Sequence, residues 1–214
     1  MNTDMVSYYK ERANEYEKIY ARPERQHDLL LATQMLQETF RDKEVLEIAC
    51  GTGYWTKIIS KTADSILATD INDAVISLAK SKEYFASKIK FQLVDIFNLP
   101  GTTKHESLFG GFIWSHIKLQ ELVRFIDTIN CQVKPGSSIV FMDNNFVEGS
   151  NLPLTDMDNF SNTYQTRQLE NGTMHKVLKN FPTEDFIKQL LTDKAKNIEF
   201  INLEYYWILK YKTI

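Results

Sequence analysis

The run Val45-Leu46-Glu47-Ile48-Ala49-Cys50-Gly51-Thr52-Gly53 constrains this chain more than any other stretch. It reads as an apolar strand with an acid near its end, then a turn with two glycines, then a helix opening near Tyr54 and Trp55. Glycine at 51 and 53 lets the backbone bend sharply and lets a ligand approach with no Cβ in the way. The helix beyond such a turn presents free N–H groups and the positive end of its dipole, a place for an anion or for the polar tail of a nucleotide-like molecule. A second strand, Leu67-Ala68-Thr69-Asp70, ends in an acid about twenty residues past the turn. That is the spacing at which a strand–helix–strand unit sets a carboxylate against ribose hydroxyls. The turn lacks the third glycine that brings backbone close to a dinucleotide's pyrophosphate, so a smaller adenosyl ligand without phosphates suits it better.

With Asp70 and Asp95, residues 45–53 resemble the cofactor motifs of class I S-adenosylmethionine-dependent methyltransferases of the small-molecule type. The family's usual loop is an acid, any residue, Gly, any residue, Gly, any residue, Gly. Here Glu47, Ile48, Ala49, Cys50, Gly51, Thr52 and Gly53 stand in those places, with Ala49 replacing the first glycine. The resemblance spans residues 5–214 in order of elements. It implies an α/β fold: a doubly wound, mostly parallel seven-stranded sheet (Rossmann-like), with N-terminal helices and a hairpin insertion after strand five. It implies S-adenosyl-L-methionine as methyl donor and S-adenosyl-L-homocysteine as product. The donor contacts it implies are Glu47 for the ammonium or for orienting the turn, then Ala49, Cys50, Gly51, Thr52 and Gly53, with Trp55 and Thr56 opening the helix. Asp70 serves the ribose hydroxyls, Ile71 packs on adenine, Asp95 takes the adenine amino group with Ile96 beside the ring, and Ser115 completes the set. Plainer readings stand beside two of these: Cys50 as a small buried packing residue and Asp95 as a helix cap.

The 214 residues, 43% hydrophobic with net charge −3, fit one globular domain, with 1–40 as a helical cap and 143–182 as an inserted lid. No apolar run approaches the ~20 residues of a membrane helix, and the polar N-terminus is no secretory signal, so a cytoplasmic protein without membrane contact is expected. Cys50 and Cys131 make neither a disulfide framework nor a zinc spacing, and no metal is expected. Mild acidity argues against a nucleic-acid groove, the lysines at 80, 82, 88 and 90 reading as a solvated face.

Apolar spacing predicts helices over 3–20 and 23–40, strand one at 43–49, a helix at 54–63, strand two at 65–70 and a helix at 73–82 capped by Asn72. Strand three falls at 91–94. An irregular stretch or a short helix covers 98–108. Strand four is expected at 109–114, a helix at 118–130, a turn at 134–136 and strand five at 137–142. Asn171-Gly172 between two extendable runs predicts a hairpin of 163–169 with 173–179, outside the main sheet. A helix at 183–192 and an antiparallel pair within 197–212, turning near 203–205, close the chain.

Tyr9, Arg12 and Tyr16 lie on a segment similar to the N-terminal helix that, in many small-molecule methyltransferases, folds over the donor. A tyrosine face also favours a cation. The plainer reading is a tyrosine stripe on the core. Strand four leads to Trp114-Ser115-His116, and ligands of open α/β sheets sit outside the strands' carboxyl ends at the switch in strand order. His116 is therefore the candidate catalytic residue, as a base or as an orienter of substrate. Asp143, at the end of strand five, and Tyr164 and Arg167, on the hairpin, are candidate substrate contacts, Arg167 being suited to a carboxylate or phosphate.

Methyl transfer to a small-molecule acceptor by in-line displacement, in a monomer or homodimer, is the reading these features carry. A protein or nucleic-acid methyltransferase is the alternative. Ser115-His116-Ile117-Lys118 stands where an amino-DNA enzyme has its Asn/Asp-Pro-Pro-Tyr-type tetrapeptide, and neither cysteine follows a proline as in cytosine-C5 enzymes. A non-catalytic domain that only binds the donor is the third reading.

Overall fold

The computed structural model describes residues 3–13, 15–85, 88–99 and 104–214. Six helices and ten strands alternate along most of the described chain. The helices are α1 (Thr3–Glu11), α2 (Gln26–Thr39), α3 (Tyr54–Ile59), α4 (Asp73–Lys80), α5 (Leu122–Asn130) and α6 (Glu184–Leu191). The strands are β1 (Glu44–Ile48), β2 (Ser65–Asp70), β3 (Ile89–Leu93), β4 (His105–Gly111), β5 (Val133–Asn144), β6 (Asp156–Met157), β7 (Thr163–Gln168), β8 (Met174–Leu178), β9 (Ala195–Asn202) and β10 (Tyr206–Thr213). The main sheet runs β3-β2-β1-β4-β5-β10-β9, and only β10 runs antiparallel to its neighbours. Order reverses between β1 and β4, so the crevice for a ligand opens at their carboxyl ends.

Alternation along the strands builds two cores, one on each face. Leu46, Ile48, Leu108, Ile139, Phe141, Trp207 and Leu209 point to one face, where Phe125 and Ile126 of α5 and Ile187 of α6 cover them. Val45, Phe109, Val140, Met142 and Ile208 point to the other, against Ala32 and Leu36 of α2 and Trp55 and Ile59 of α3. Burial on both faces is why these strands read as near-continuous apolar runs.

A second, smaller sheet, β6-β7-β8, stands beside the main one. Leu169, Val177 and Leu178 from it pack on Met5 and Tyr8 of α1. Each such side chain contributes roughly 1.5–3 kcal/mol on burial, which holds α1 against the insertion rather than in solvent. Helix and insertion together roof the carboxyl ends of the strands.

The expected helix over 3–20 is broken. It ends at Glu11, and a 3-10 segment, Tyr16–Ala21, follows, Asn14 lying outside the described residues. The tyrosine stripe serves two partners: Tyr8 buries against the hairpin, while Tyr20 stacks on Tyr54 at 3.8 Å and accepts a hydrogen bond from Trp55 Nε1 at 3.2 Å. Strand four begins four residues earlier than its apolar pattern. His105, Glu106 and Ser107 are polar but pair in the ladder, Ser107 Oγ also donating to the Glu44 carbonyl. It ends at Gly111, because Phe112 turns into the left-handed region at φ 59°. Residues 100–103, within the stretch expected to be irregular, lie outside the described residues. The turn expected at 134–136 is absorbed into β5 as an irregularity in register with β4, Gly136 taking φ 78°. The closing pair accommodates two eight-residue strands because β9 starts at Ala195, straight after α6. Among the described residues no helix is long and apolar enough to cross a membrane.

Candidate active site

The loop after β1 alternates its backbone hand. Ala49, Gly51 and Gly53 take φ values of 51°, 55° and 80°. The two glycines have different tasks. A Cβ on Gly53 would lie 2.4 Å from the Tyr84 hydroxyl and 3.0 Å from Ala79 Cβ, so glycine is required for α4 to approach. A Cβ on Gly51 would meet nothing within 4 Å; it would project into open space above the loop. Ala49 accepts the left-handed conformation that the family's glycine would take without strain.

Asp70, at the end of β2, ties this loop down. Its Oδ2 accepts the Gly51 N–H at 2.9 Å and its Oδ1 the Asn72 N–H at 2.9 Å. Each carboxylate oxygen keeps a further acceptor site. Burial pushes the Asp70 carboxyl up from its ordinary value, with these backbone donors opposing. Asn72 caps α4 as expected, its side chain accepting from the Ala74 N–H.

A cavity lies over the loop. Its walls are Ala49, Gly51 and Thr52, then Asp70 and Ile71, then Ile96, Phe112 and Ile113, with Tyr9 and Tyr16 closing it from the cap. Glu47, Cys50 and Trp55 border a smaller hollow behind the loop. Glu47 is 2% exposed and its Oε2 has no hydrogen-bond partner. Burial raises its pKa to about 8, Asp70 adding to the effect. Gly53 and Thr56 pack beneath the loop, Thr56 fully buried. Asp95 lies off the cavity wall, its Oδ1 capping the 3-10 turn Ile96–Asn98 by accepting from Phe97 N–H at 3.0 Å.

A second cavity, about 210 Å³, adjoins the first; Tyr9, Tyr16 and Phe112 line both. Arg12, His116 and Arg167 sit on its wall. The His116 ring is fixed by two bonds. Nδ1 lies 2.6 Å from the Leu178 carbonyl, which only accepts, so Nδ1 carries the proton. Nε2 is left as an acceptor, 2.7 Å from the Tyr9 hydroxyl, which donates to it. Arg167 Nη1 donates to that hydroxyl at 3.5 Å. Burial, then Lys179, then Arg167, pushes the His116 pKa down to about 3, while burial raises that of Tyr9.

Ser115 and Asp143 lie under this turn, both fully buried. Asp143 Oδ1 pairs with Lys179 Nζ at 2.7 Å and Oδ2 accepts the Ser115 N–H at 2.9 Å. Lys179 also donates to Ser115 Oγ at 2.6 Å. Tyr164 faces away from both cavities, donating to Asp158 Oδ2 at 2.9 Å. Of the three residues expected to touch substrate, the second cavity therefore carries Arg167, while Asp143 braces the floor and Tyr164 braces the hairpin. Phe112 and Arg25 line the second cavity without standing out in the sequence. Gly110-Gly111 was the only local signal for the strained Phe112; Arg25 reads in sequence as an ordinary helix-start charge.

Residues 45–136 match the family model described as "Methyltransferase domain". No curated protein matches the chain in a sequence comparison. Among solved structures, one described as a DhpI–SAH complex superposes with a TM-score of 0.81 at 22% identity, covering 98% of this chain and 95% of its own. A DhpI–SAM–HEP complex gives 0.78 at 21% identity, covering 98% and 99%. The N-methyltransferase NodS from Bradyrhizobium japonicum WM9 gives 0.62 at 13% identity, covering 89% and 97%. Across residues 45–136 the chain matches a methyltransferase-domain model, and the sheet order and the loop after β1 are those of the Rossmann-like methyltransferase fold.

The site's own chemistry fits S-adenosylmethionine as donor. Gly51 leaves a cradle a Cβ would fill, and Glu47 Oε2 is buried with no hydrogen-bond partner, so an ammonium placed beside it would draw off the proton that burial holds there. The raised Glu47 pKa has a stability consequence. Between about pH 4.5 and 8 the folded protein holds a proton there that the unfolded chain has released. Stability therefore falls as pH rises through that window, by up to about 1.4 kcal/mol per unit. Urea unfolding at pH 5 and pH 8 is expected to show a larger loss in the wild type than in Glu47→Gln. Equal losses would mean that Glu47 is ionised in the folded state.

Proposed function

We propose that this protein transfers the methyl group of S-adenosylmethionine to a small-molecule acceptor, and that the two cavities hold donor and acceptor on either side of Tyr9, Tyr16 and Phe112. That shared wall is the observation that carries the reading. When bound, the donor supplies an electrophilic methyl carbon on a sulfonium centre and leaves as S-adenosylhomocysteine. In-line displacement asks a protein mainly to align the partners and exclude water.

The residues divide that work. Glu47 attracts the donor's ammonium, Asp70 accepts from the ribose hydroxyls, and Ile71 and Ile96 flank the adenine, with Asp95 capping the turn that carries Ile96. The faces of Tyr9 and Tyr16, 5.9 Å apart edge to face, favour the sulfonium charge. The roof made by α1 and the hairpin excludes water. His116 acts as an orienter. A histidine held near pKa 3 is a poor proton sink at neutral pH, whereas its neutral Nε2 fixes the Tyr9 hydroxyl and through it the acceptor. A water needs only ~10–15 Å³ of cavity space, so about 210 Å³ suits a small metabolite, and a roofed cavity of that size favours one over a polypeptide or a nucleic-acid strand.

Calorimetric titration with S-adenosylmethionine and S-adenosylhomocysteine tests the donor half. Asp70→Ala removes charge-assisted hydrogen bonds worth roughly 1.5–3 kcal/mol, so affinity is expected to drop roughly ten- to a hundredfold. Undiminished affinity in a folded Asp70→Ala protein would strike Asp70 from the donor site.

A further inference from the structure

We infer that the acceptor is a small acid whose oxyanion is held by Arg25 and Arg167, with Arg12 beside them, in the second cavity. The inference rests on the methyl-transfer reading above and adds the chemical class of the substrate.

The wall of this cavity carries an excess of positive charge. Arg12, Arg22, Arg25, Arg167 and Lys179 line it, and Glu15 is the only carboxylate among its described lining residues. Two of the cations have counter-ions of their own: Lys179 has Asp143 at 2.7 Å and Arg22 has Glu24 at 3.9 Å. The other three meet only neutral groups among the described residues. Arg25 donates to Asn144 Oδ1 at 3.3 Å and Ser150 Oγ at 2.8 Å and lies over the rings of Tyr205 and Tyr206. Arg167 donates twice to Gln165 Oε1, at 3.2 and 2.8 Å, and once to the Tyr9 hydroxyl. The Arg12 guanidinium lies over the rings of Tyr8 and Tyr16.

Burial makes this costly. Arg25 is only 5% exposed, and its Nε has no hydrogen-bond partner. Buried charges are paired as a rule, because an uncompensated one forfeits its hydration. An oxyanion bound here would provide the missing counter-charge, and guanidinium forks match carboxylate and phosphate oxygens in bidentate geometry. Arg12, just past α1, and Arg167, on β7, each sit 5.6 Å from the centre of the Tyr8 ring, and both line this cavity. Arg25 adds a third from the turn before α2. Arg167 also reaches the Tyr9 hydroxyl that bonds His116, so an acid anchored on it stands next to the wall shared with the donor cavity. The positive field helps to keep His116 neutral, in keeping with a pocket that awaits an anion.

The test is calorimetric titration of the full-length protein with inorganic phosphate and, separately, with acetate, each with and without saturating S-adenosylhomocysteine. Saturable binding of phosphate, acetate or both supports the inference, provided it weakens roughly tenfold or more in Arg167→Gln and in Arg25→Gln while S-adenosylhomocysteine affinity stays level. Phosphate alone points to a phosphate-type acid, acetate alone to a carboxylic acid. Arg167→Lys keeps the charge but loses the fork, and an intermediate affinity is expected. Should Arg25→Gln fail to fold, Arg167→Gln and Arg167→Lys still decide the matter. Absence of saturable binding, or binding that ignores both arginines, would overturn the inference and leave the donor reading standing. Failure of S-adenosylhomocysteine to bind would instead overturn the donor reading, while the titrations without it still report on the anion site.

Discussion

Replacing His116 with alanine is expected to cut kcat about a hundredfold while donor affinity stays where it was. The size follows from the role. If His116 took a proton from the acceptor, its loss would cost 10²–10⁴ and the wild-type pH–rate profile would bend near about pH 6–7. With Nδ1–H committed to the Leu178 carbonyl and a pKa near 3, the ring stays neutral over the working range and serves as a fixed acceptor for the Tyr9 hydroxyl. Losing that fixed point lets Tyr9 and the acceptor drift, and a misplacement of about 1 Å costs on the order of 10² in rate. The measurement is kcat against pH for wild type and His116→Ala, with calorimetry showing that the donor still binds. A flat wild-type profile with a hundredfold drop supports orientation. A limb near pH 6–7 that vanishes in the variant would make His116 the base, and unchanged turnover would remove it from the reaction.

Lys179→Met should lower folding stability by about 3–5 kcal/mol, because it leaves Asp143 buried without its counter-ion. Both side chains are nearly inaccessible, at 4% and 0%, and 2.7 Å apart. Burial pushes the Asp143 carboxyl up, but Lys179, His116 and the Ser115 N–H together outweigh it and hold the carboxyl below its ordinary value. A depressed carboxylate contributes stability above its unfolded pKa of about 3.9, and that contribution is lost as pH falls through the folded value. In the variant burial is opposed only by the Ser115 and Asn144 N–H groups, so the Asp143 carboxyl moves up from where Lys179 held it. The deficit is therefore largest at pH 7 and narrows toward pH 4. Urea unfolding across that range reads it, and Asp143→Asn combined with Lys179→Met should recover much of the loss. A loss under about 1 kcal/mol at pH 7, the range of exposed pairs, would show that water reaches the pair. Because the same carboxylate accepts the Ser115 N–H, the pair also sets the turn on which His116 stands.

The loop that walls the first cavity could be read in the chain because it is local. Glu47, Gly51, Gly53 and Asp70 belong to one strand–turn–helix–strand unit, where backbone hand and strand ends follow from residue type and spacing. The second cavity is legible only in part: His116 and Arg167 stand out in the chain, while Arg25 and Lys179 take their places there through packing, Arg25 on Asn144 and Ser150 and Lys179 on Asp143. Asp143 illustrates the limit: a strand-end acid at the rim looks like a substrate contact until a lysine 36 residues away in sequence is found to neutralise it.

By itself, then, the sequence determined the order of strands and helices, the parallel sheet implied by their alternation, and the loop and acid that wall the first cavity. These rest on hydrophobic period and backbone conformational preference, which act over a few residues. Only the tertiary structure decided where the N-terminal helix breaks, which charges are paired and which stand alone, and which face of His116 is occupied. Those depend on burial and on partners distant in the chain, and a side chain's charge, proton and freedom are set by what surrounds it.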